Sequence, residues 1–75
     1  MLSKSAVATL SFLRTLPTNV ACETCIGAYL RAERLDVLKI IRELIEAGRI
    51  VGQYAECPVC RERGIVAEVR REQAA

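Results

Sequence analysis

Two Cys-x-x-Cys pairs, Cys22-Glu-Thr-Cys25 and Cys57-Pro-Val-Cys60, stand 31 residues apart in a chain of 75 residues that has no histidine. A turn of this kind places two sulfurs on one edge of a tetrahedron. Two such turns close a four-thiolate shell at about 2.3 Å from a zinc ion. Thiolate-only ligation selects zinc, and iron–sulfur less often. Without histidine no mixed site can form. The expected cofactor is therefore one structural Zn2+ held by Cys22, Cys25, Cys57 and Cys60.

The length of the chain gives such a site a purpose. A domain this small buries only about 60% of its unfolded surface, and its thin core commonly needs a staple. Apolar residues are plentiful, but the aromatic ones are only Phe12, Tyr29 and Tyr54. Where metal binding and folding are coupled, the binding free energy becomes folding free energy. Cys22 and Cys25 fall at the start of an expected helix, whose positive dipole end suits thiolates. Pro58 gives the second pair a knuckle turn, and Arg61 and Arg63 offset the anionic cluster. The long separation between the pairs suits an inserted helix, and the third helix is that insert.

Three other uses of the same cysteines remain open in the sequence. A CxxC at a helix start also suits a thioredoxin-like redox pair, but that motif expects a βαβ setting and leaves the second pair idle. Two disulfides conflict with a reducing compartment. A small iron–sulfur centre is the third.

The periodicity divides the chain into three helices and a hairpin, all in one domain spanning residues 1–75. Residues 3–16 place Val7, Leu10, Leu13 and Leu16 at helical spacing, with Ser3 or Ser5 as cap and Pro17 as stop. Residues 18–21 form a link long enough for a small strand. A second helix is expected over 22–32. A third, over 35–47, carries the stripe Val37, Ile40, Ile41, Leu44 and Ile45 and is ended by Gly48. Two β-prone runs over 50–70 flank a turn rich in Pro, Gly and charge, which reads as a hairpin carrying the second cysteine pair.

Counted from Ile26, apolar residues recur four, eleven, fifteen and eighteen positions on, at Leu30, Val37, Ile41 and Leu44, and the small residue Gly27 follows Ile26. This pattern resembles a helix-turn-helix, in which two helices cross closely at a small residue and are joined by a turn of 3–4 residues. That turn falls near Ala32-Glu33-Arg34. Helix-turn-helix proteins often place glycine in the turn, where this chain has Arg31. With a helix before and a hairpin after, the chain resembles small bacterial or phage winged-helix proteins with one CxxC on the second helix and another in the wing. The resemblance implies a mainly α fold with a small β-hairpin: a three-helix winged helix-turn-helix stapled by a four-cysteine zinc site. It further implies a DNA-binding or regulatory module.

In a helix-turn-helix the N-terminal part of the recognition helix meets base edges. Arg34, Lys39 and Arg42 are then the expected DNA contacts, with Arg61 and Arg63 of the wing on phosphates. Glu43 and Glu46 face the same way and repel a phosphate backbone. The plainer account is a solvated face with Lys39–Glu43 and Arg42–Glu46 pairs. Leu38 and Ile45 flank the stripe, either as core edge or as a surface for a protein partner or a second copy. The net charge of +2 falls close to zero once four thiolates and a divalent ion are counted, which is not the strongly basic balance of a typical nucleic-acid binder.

Enzymatic readings are weak. The chain has no histidine, no nucleophile–base pair and no phosphate-binding glycine loop, and no small-molecule substrate is evident. No apolar run approaches the roughly 20 residues needed to cross a bilayer, and residues 6–13 lack the cleavage site of a signal peptide. A cytoplasmic protein without membrane association is expected, either a zinc-stapled transcription regulator or a winged-helix adaptor for another protein.

Overall fold

The computed structural model describes residues 2–70. The elements run α1 (Lys4–Thr15), β1 (Val20–Cys22), α2 (Glu23–Leu30), α3 (Arg34–Glu46), β2 (Ile50–Glu56) and β3 (Arg63–Val69). The three strands form one antiparallel sheet in the order β1-β3-β2. The small hairpin expected over 50–70 is therefore two strands of a three-stranded sheet. Its third strand is the three-residue segment Val20–Cys22, paired so that Ala21 faces Ala67 and Cys22 faces Val66.

Local chemistry accounts for both ends of α1 and for the C-terminal end of α3. Ser3 caps α1, its Oγ accepting the Ala6 N–H at 3.2 Å. Leu16 is extended (φ −83°, ψ 143°), as the residue before a proline must be. α1 is turned on its axis relative to the expected stripe: Ala6, Thr9, Leu10 and Leu13 are buried, and Val7 is half exposed. The small Ala6 and Thr9 let α1 approach its neighbours closely, and the Thr9 hydroxyl is satisfied by the Ser5 carbonyl at 2.8 Å. At the end of α3, Arg49 N–H donates to the Leu44 carbonyl and Gly48 N–H to that of Ile45, both at 2.9 Å. This is the paired bonding of a Schellman cap, and Gly48 takes the positive φ of 72° that it requires.

α2 is shorter than the expected 22–32, because Cys22 ends a strand and Arg31 leaves the helix in the left-handed region (φ 55°, ψ 44°). A Cβ there costs about 1–2 kcal/mol, and only glycine avoids it. Arg31→Gly is accordingly expected to raise stability by about 1 kcal/mol. Arg31→Ala, which keeps the Cβ, should stay within about 0.5 kcal/mol of the parent. Urea midpoints check this, and equal responses would exclude backbone strain at the turn.

The core gathers Ala6, Leu10 and Leu13 of α1, Ile26 of α2 and Val37, Ile40, Ile41 and Leu44 of α3 around Ala21, Ile50 and Ala67 of the sheet. Four of the five residues in the spacing counted from Ile26 are fully enclosed, and Leu30 is packed at the margin. The crossing of α2 and α3 leaves little room beside Gly27. A Cβ there would lie 3.2 Å from the Ala32 carbonyl oxygen and 3.3 Å from Val37 Cγ2. Ile45 departs from the expected stripe and is 44% exposed. It lies across β2 instead, where a Cβ on Gly52 would come within 2.9 Å of its Cδ1. Phe12 and Tyr29 stack, with centroids 4.3 Å apart, and tie α1 to α2.

Candidate metal centre

A second, smaller buried cluster consists of Cys22, Cys57 and Val66, with Val20, Cys25 and Ala55 packed on it. Two knuckles meet here. The first is the junction of β1 and α2, where Cys22 is at once the last residue of the strand and the cap of the helix. Cys25 follows in the first turn of α2. The second is the loop between β2 and β3. It is closed by Cys57 N–H donating to the Glu62 carbonyl and Arg61 N–H donating to the Cys57 carbonyl, both at 2.8 Å. Arg61 adopts φ 68° to make that turn.

The sheet brings the knuckles together. β3 pairs with both β1 and β2, so the strand that carries Cys22 and the hairpin that carries Cys57 share one neighbour. The four Sγ atoms all lie within 4.8 Å of one another. Cys22 and Cys60 sulfurs are 3.5 Å apart, and those of Cys25 and Cys57 are 3.8 Å apart. A tetrahedron with 2.3 Å metal–sulfur bonds has edges of about 3.8 Å. These two short separations run between the CxxC pairs, and no disulfide joins the four cysteines. The arrangement is compatible with a four-thiolate metal site.

Backbone amides also point at the sulfurs. Cys57 Sγ accepts the Cys22 N–H at 3.3 Å and the Val59 N–H at 3.4 Å. Burial pushes the Cys57 thiol up, but the N–H groups of Cys60, Val59 and Cys22 outweigh it and bring the thiol down from 9.0 to about 7. Burial dominates at Cys22 and Cys25, whose thiols are pushed up; the neighbouring cysteines add to the rise at Cys25, whereas the Cys25 N–H works against it at Cys22. A bound divalent ion favours the thiolate form of its cysteine ligands.

The five basic residues expected at a nucleic-acid surface are all exposed, but three of them carry a carboxylate partner. Arg34 Nε donates to Glu23 Oε1 at 3.0 Å, Arg42 Nε to Glu46 Oε1 at 2.9 Å, and Arg61 Nη1 lies 3.7 Å from Glu56 Oε2. Lys39 and Arg63 have no ion-pair partner among the described residues. The expected Lys39–Glu43 pair is absent, because Glu43 is held by Ser3. The Ser3 backbone N–H donates to Glu43 Oε2 at 2.7 Å and its hydroxyl to Oε1 at 2.9 Å. These bonds hold the Glu43 carboxyl below the usual carboxylate range and clamp the start of α1 to α3.

Sequence reasoning passed over Glu23. It lies inside the first CxxC, its side chain is only 12% exposed, and it reaches Arg34 eleven residues on. Neither helical nor strand periodicity links those two positions. Compared with models of known protein families, with curated proteins and with solved structures, the chain matches none. No helix among the described residues is long and apolar enough to cross a membrane.

Proposed function

We propose that the protein is a zinc-stapled winged helix-turn-helix module that binds DNA as a regulator. The observation that carries the metal part is the meeting of four sulfurs within 4.8 Å of one another. Zinc is favoured over a redox pair because the short sulfur contacts link the two CxxC motifs to each other. A single ion is favoured over a multinuclear iron–sulfur cluster because a cluster spreads its thiolates over several metal atoms, whereas these sulfurs all lie within 4.8 Å of one another. Elemental analysis of purified protein is expected to give one zinc per chain. Substoichiometric metal in a folded protein, bound iron, or two disulfides by mass would each reject the assignment.

The DNA part is supported by the order of elements, by Gly27 at the α2–α3 crossing, and by the exposed side of α3 with Arg34, Lys39 and Arg42. The ion pairs on this side do not exclude phosphate. Arg42 and Glu46 are 82% and 65% exposed, and such surface pairs contribute only about 0–1 kcal/mol. A Lys39→Ala, Arg42→Ala double variant is expected to keep its helical signal and its zinc but to lose DNA affinity. Its salt dependence should fall by about two units if both residues contact phosphates. Gel shifts across a salt series with genomic fragments measure this.

The carboxylate partners of Arg34, Arg42 and Arg61 favour a second reading, in which the module is a protein adaptor and the hairpin tip, tied into the metal site, does not enter a groove. On that reading the parent shows no salt-dependent DNA binding. The apolar edge of Leu38 and Ile45 is then the contact surface.

A further inference from the structure

The four cysteines differ in their access to solvent. Cys57 has no exposed surface and Cys22 is 2% exposed, whereas Cys60 is exposed. Cys57 Sγ is held by the N–H groups of Cys22 and Val59. Cys22 Sγ lies instead against Cys60 Sγ, 3.5 Å away across the gap between the two knuckles. An exposed sulfur therefore touches a buried one that belongs to another element. Susceptibility of cysteine to oxidation follows thiolate character and exposure, and it becomes reversible chemistry where a second cysteine stands ready to resolve the first product. Cys60 has the exposure, and Cys22 is the neighbour.

We propose that Cys60 is a site of oxidation by hydroperoxides and that the product is a Cys22–Cys60 disulfide, which opens the four-sulfur site. The Cys60 thiolate attacks one oxygen of hydrogen peroxide. The O–O bond breaks, hydroxide leaves, and Cys60 becomes a sulfenic acid. The Cys22 thiolate then attacks the Cys60 sulfur, the S–O bond breaks, and a second hydroxide leaves. The two sulfurs give up two electrons in all, and the peroxide takes them up as two hydroxides, which solvent protonates. Cys25 and Cys57 remain, too few to close a four-coordinate shell. Release of the ion rests on the zinc reading; the pairing of the two sulfurs does not.

The pairing sets this chemistry apart from that of a thioredoxin-like CxxC, which closes its bond within one motif. Here the bond joins the two motifs. Cys22 caps α2 and Cys60 belongs to the loop between β2 and β3, so the disulfide keeps the hairpin tip on α2 after the ion has gone. A thiol reductant reverses it by exchange.

Peptide mapping of the full chain, purified reduced and with its zinc content measured, tests this. Trypsin cuts after Arg14, Arg31, Arg49 and Arg61, which places Cys22 and Cys25 on residues 15–31 and Cys57 and Cys60 on residues 50–61. One equivalent of hydrogen peroxide is added and the remaining thiols are then alkylated. The two peptides are expected as one linked species, with fragment ions placing the bond at Cys22–Cys60 and the alkyl groups on Cys25 and Cys57. Dithiothreitol should separate them. In the zinc-loaded protein, release of metal to a chromophoric chelator should track formation of the link. Cys60→Ser should lose the link to Cys22 and consume peroxide more slowly than the parent; if it fails to fold, the map of the parent decides. A bond inside either CxxC would overturn the proposal, as would Cys60 carried to sulfinic acid without a bond, or no oxidation in excess peroxide. Zinc retained after the link has formed, or a folded Cys60→Ser protein that consumes peroxide at the parental rate, would overturn it too. A protein purified without zinc that still forms the Cys22–Cys60 link refutes the staple and supports the pairing.

Discussion

Replacing Cys57 by serine is expected to unfold most of the protein at room temperature, the largest single-residue effect in the chain. Cys57 is fully buried, and its sulfur accepts two backbone N–H groups, from Cys22 and Val59. On the zinc reading it is also a metal ligand. Structural zinc binds with on the order of 10 kcal/mol at neutral pH, while a small domain has a net stability of only about 5–15 kcal/mol. A loss of several kcal/mol therefore uses up most of the margin. The substitution should also free the hairpin tip from the start of α2, because Cys57 touches residues of both. Cys60 lies at the exposed corner of the cluster, so a water can take its place on the ion, and Cys60→Ser should cost less. Chelator-induced loss of the circular dichroism signal and urea midpoints of both variants check this ranking. A Cys57→Ser protein that melts with the parent would show that the four sulfurs are not a staple.

Ile26→Ala is expected to lower stability by about 2–5 kcal/mol, the second largest effect. Ile26 has no exposed surface and is the one buried residue of the two-turn helix α2, so it is that helix's main anchor in the core. It also follows Cys25, which packs against both the main core and the cysteine cluster. Loosening α2 should thus weaken metal retention as well, seen as faster zinc loss to a chelator. Leu35→Ala is the control: Leu35 is 71% exposed, and its loss should stay within about 0.5 kcal/mol. An Ile26→Ala protein with parental stability and unchanged zinc exchange would separate the core from the metal site.

Much of this architecture was legible before any coordinates. α3 could be read because its apolar residues recur at helical spacing and a glycine stands where a left-handed cap is needed. Ser3 and Pro17 bracket α1 through local hydrogen bonding and local sterics. The four cysteines could be grouped because CxxC spacing is itself a geometric statement about two sulfurs. These features depend on neighbours within a few residues, and such neighbours are visible in a string of letters.

The features missed depend on distant partners. β1 is three residues long and is a strand only because β3 pairs with it, forty-odd residues later. The face of α1 that is buried follows from close approach to other elements, which favours Ala6 and Thr9 over the larger Val7. Glu43 is an apparent helix-surface partner for Lys39 until folding brings Ser3 beside it, forty residues away in sequence.

The sequence by itself determined the three helices, the β2–β3 hairpin, the small-residue crossing at Gly27 and the identity of the four clustered sulfurs. Each follows from periodicity, capping or turn chemistry within one segment. Only the tertiary structure decided that β3 lies between β1 and β2 and so draws the two cysteine knuckles to a common point. It alone also decided that Glu23 is mostly buried, with one oxygen on Arg34 and the other enclosed without a partner. Those outcomes arise where chain segments meet. Which polar atom is paired and which is left over depends on the whole fold, and no local spacing encodes it.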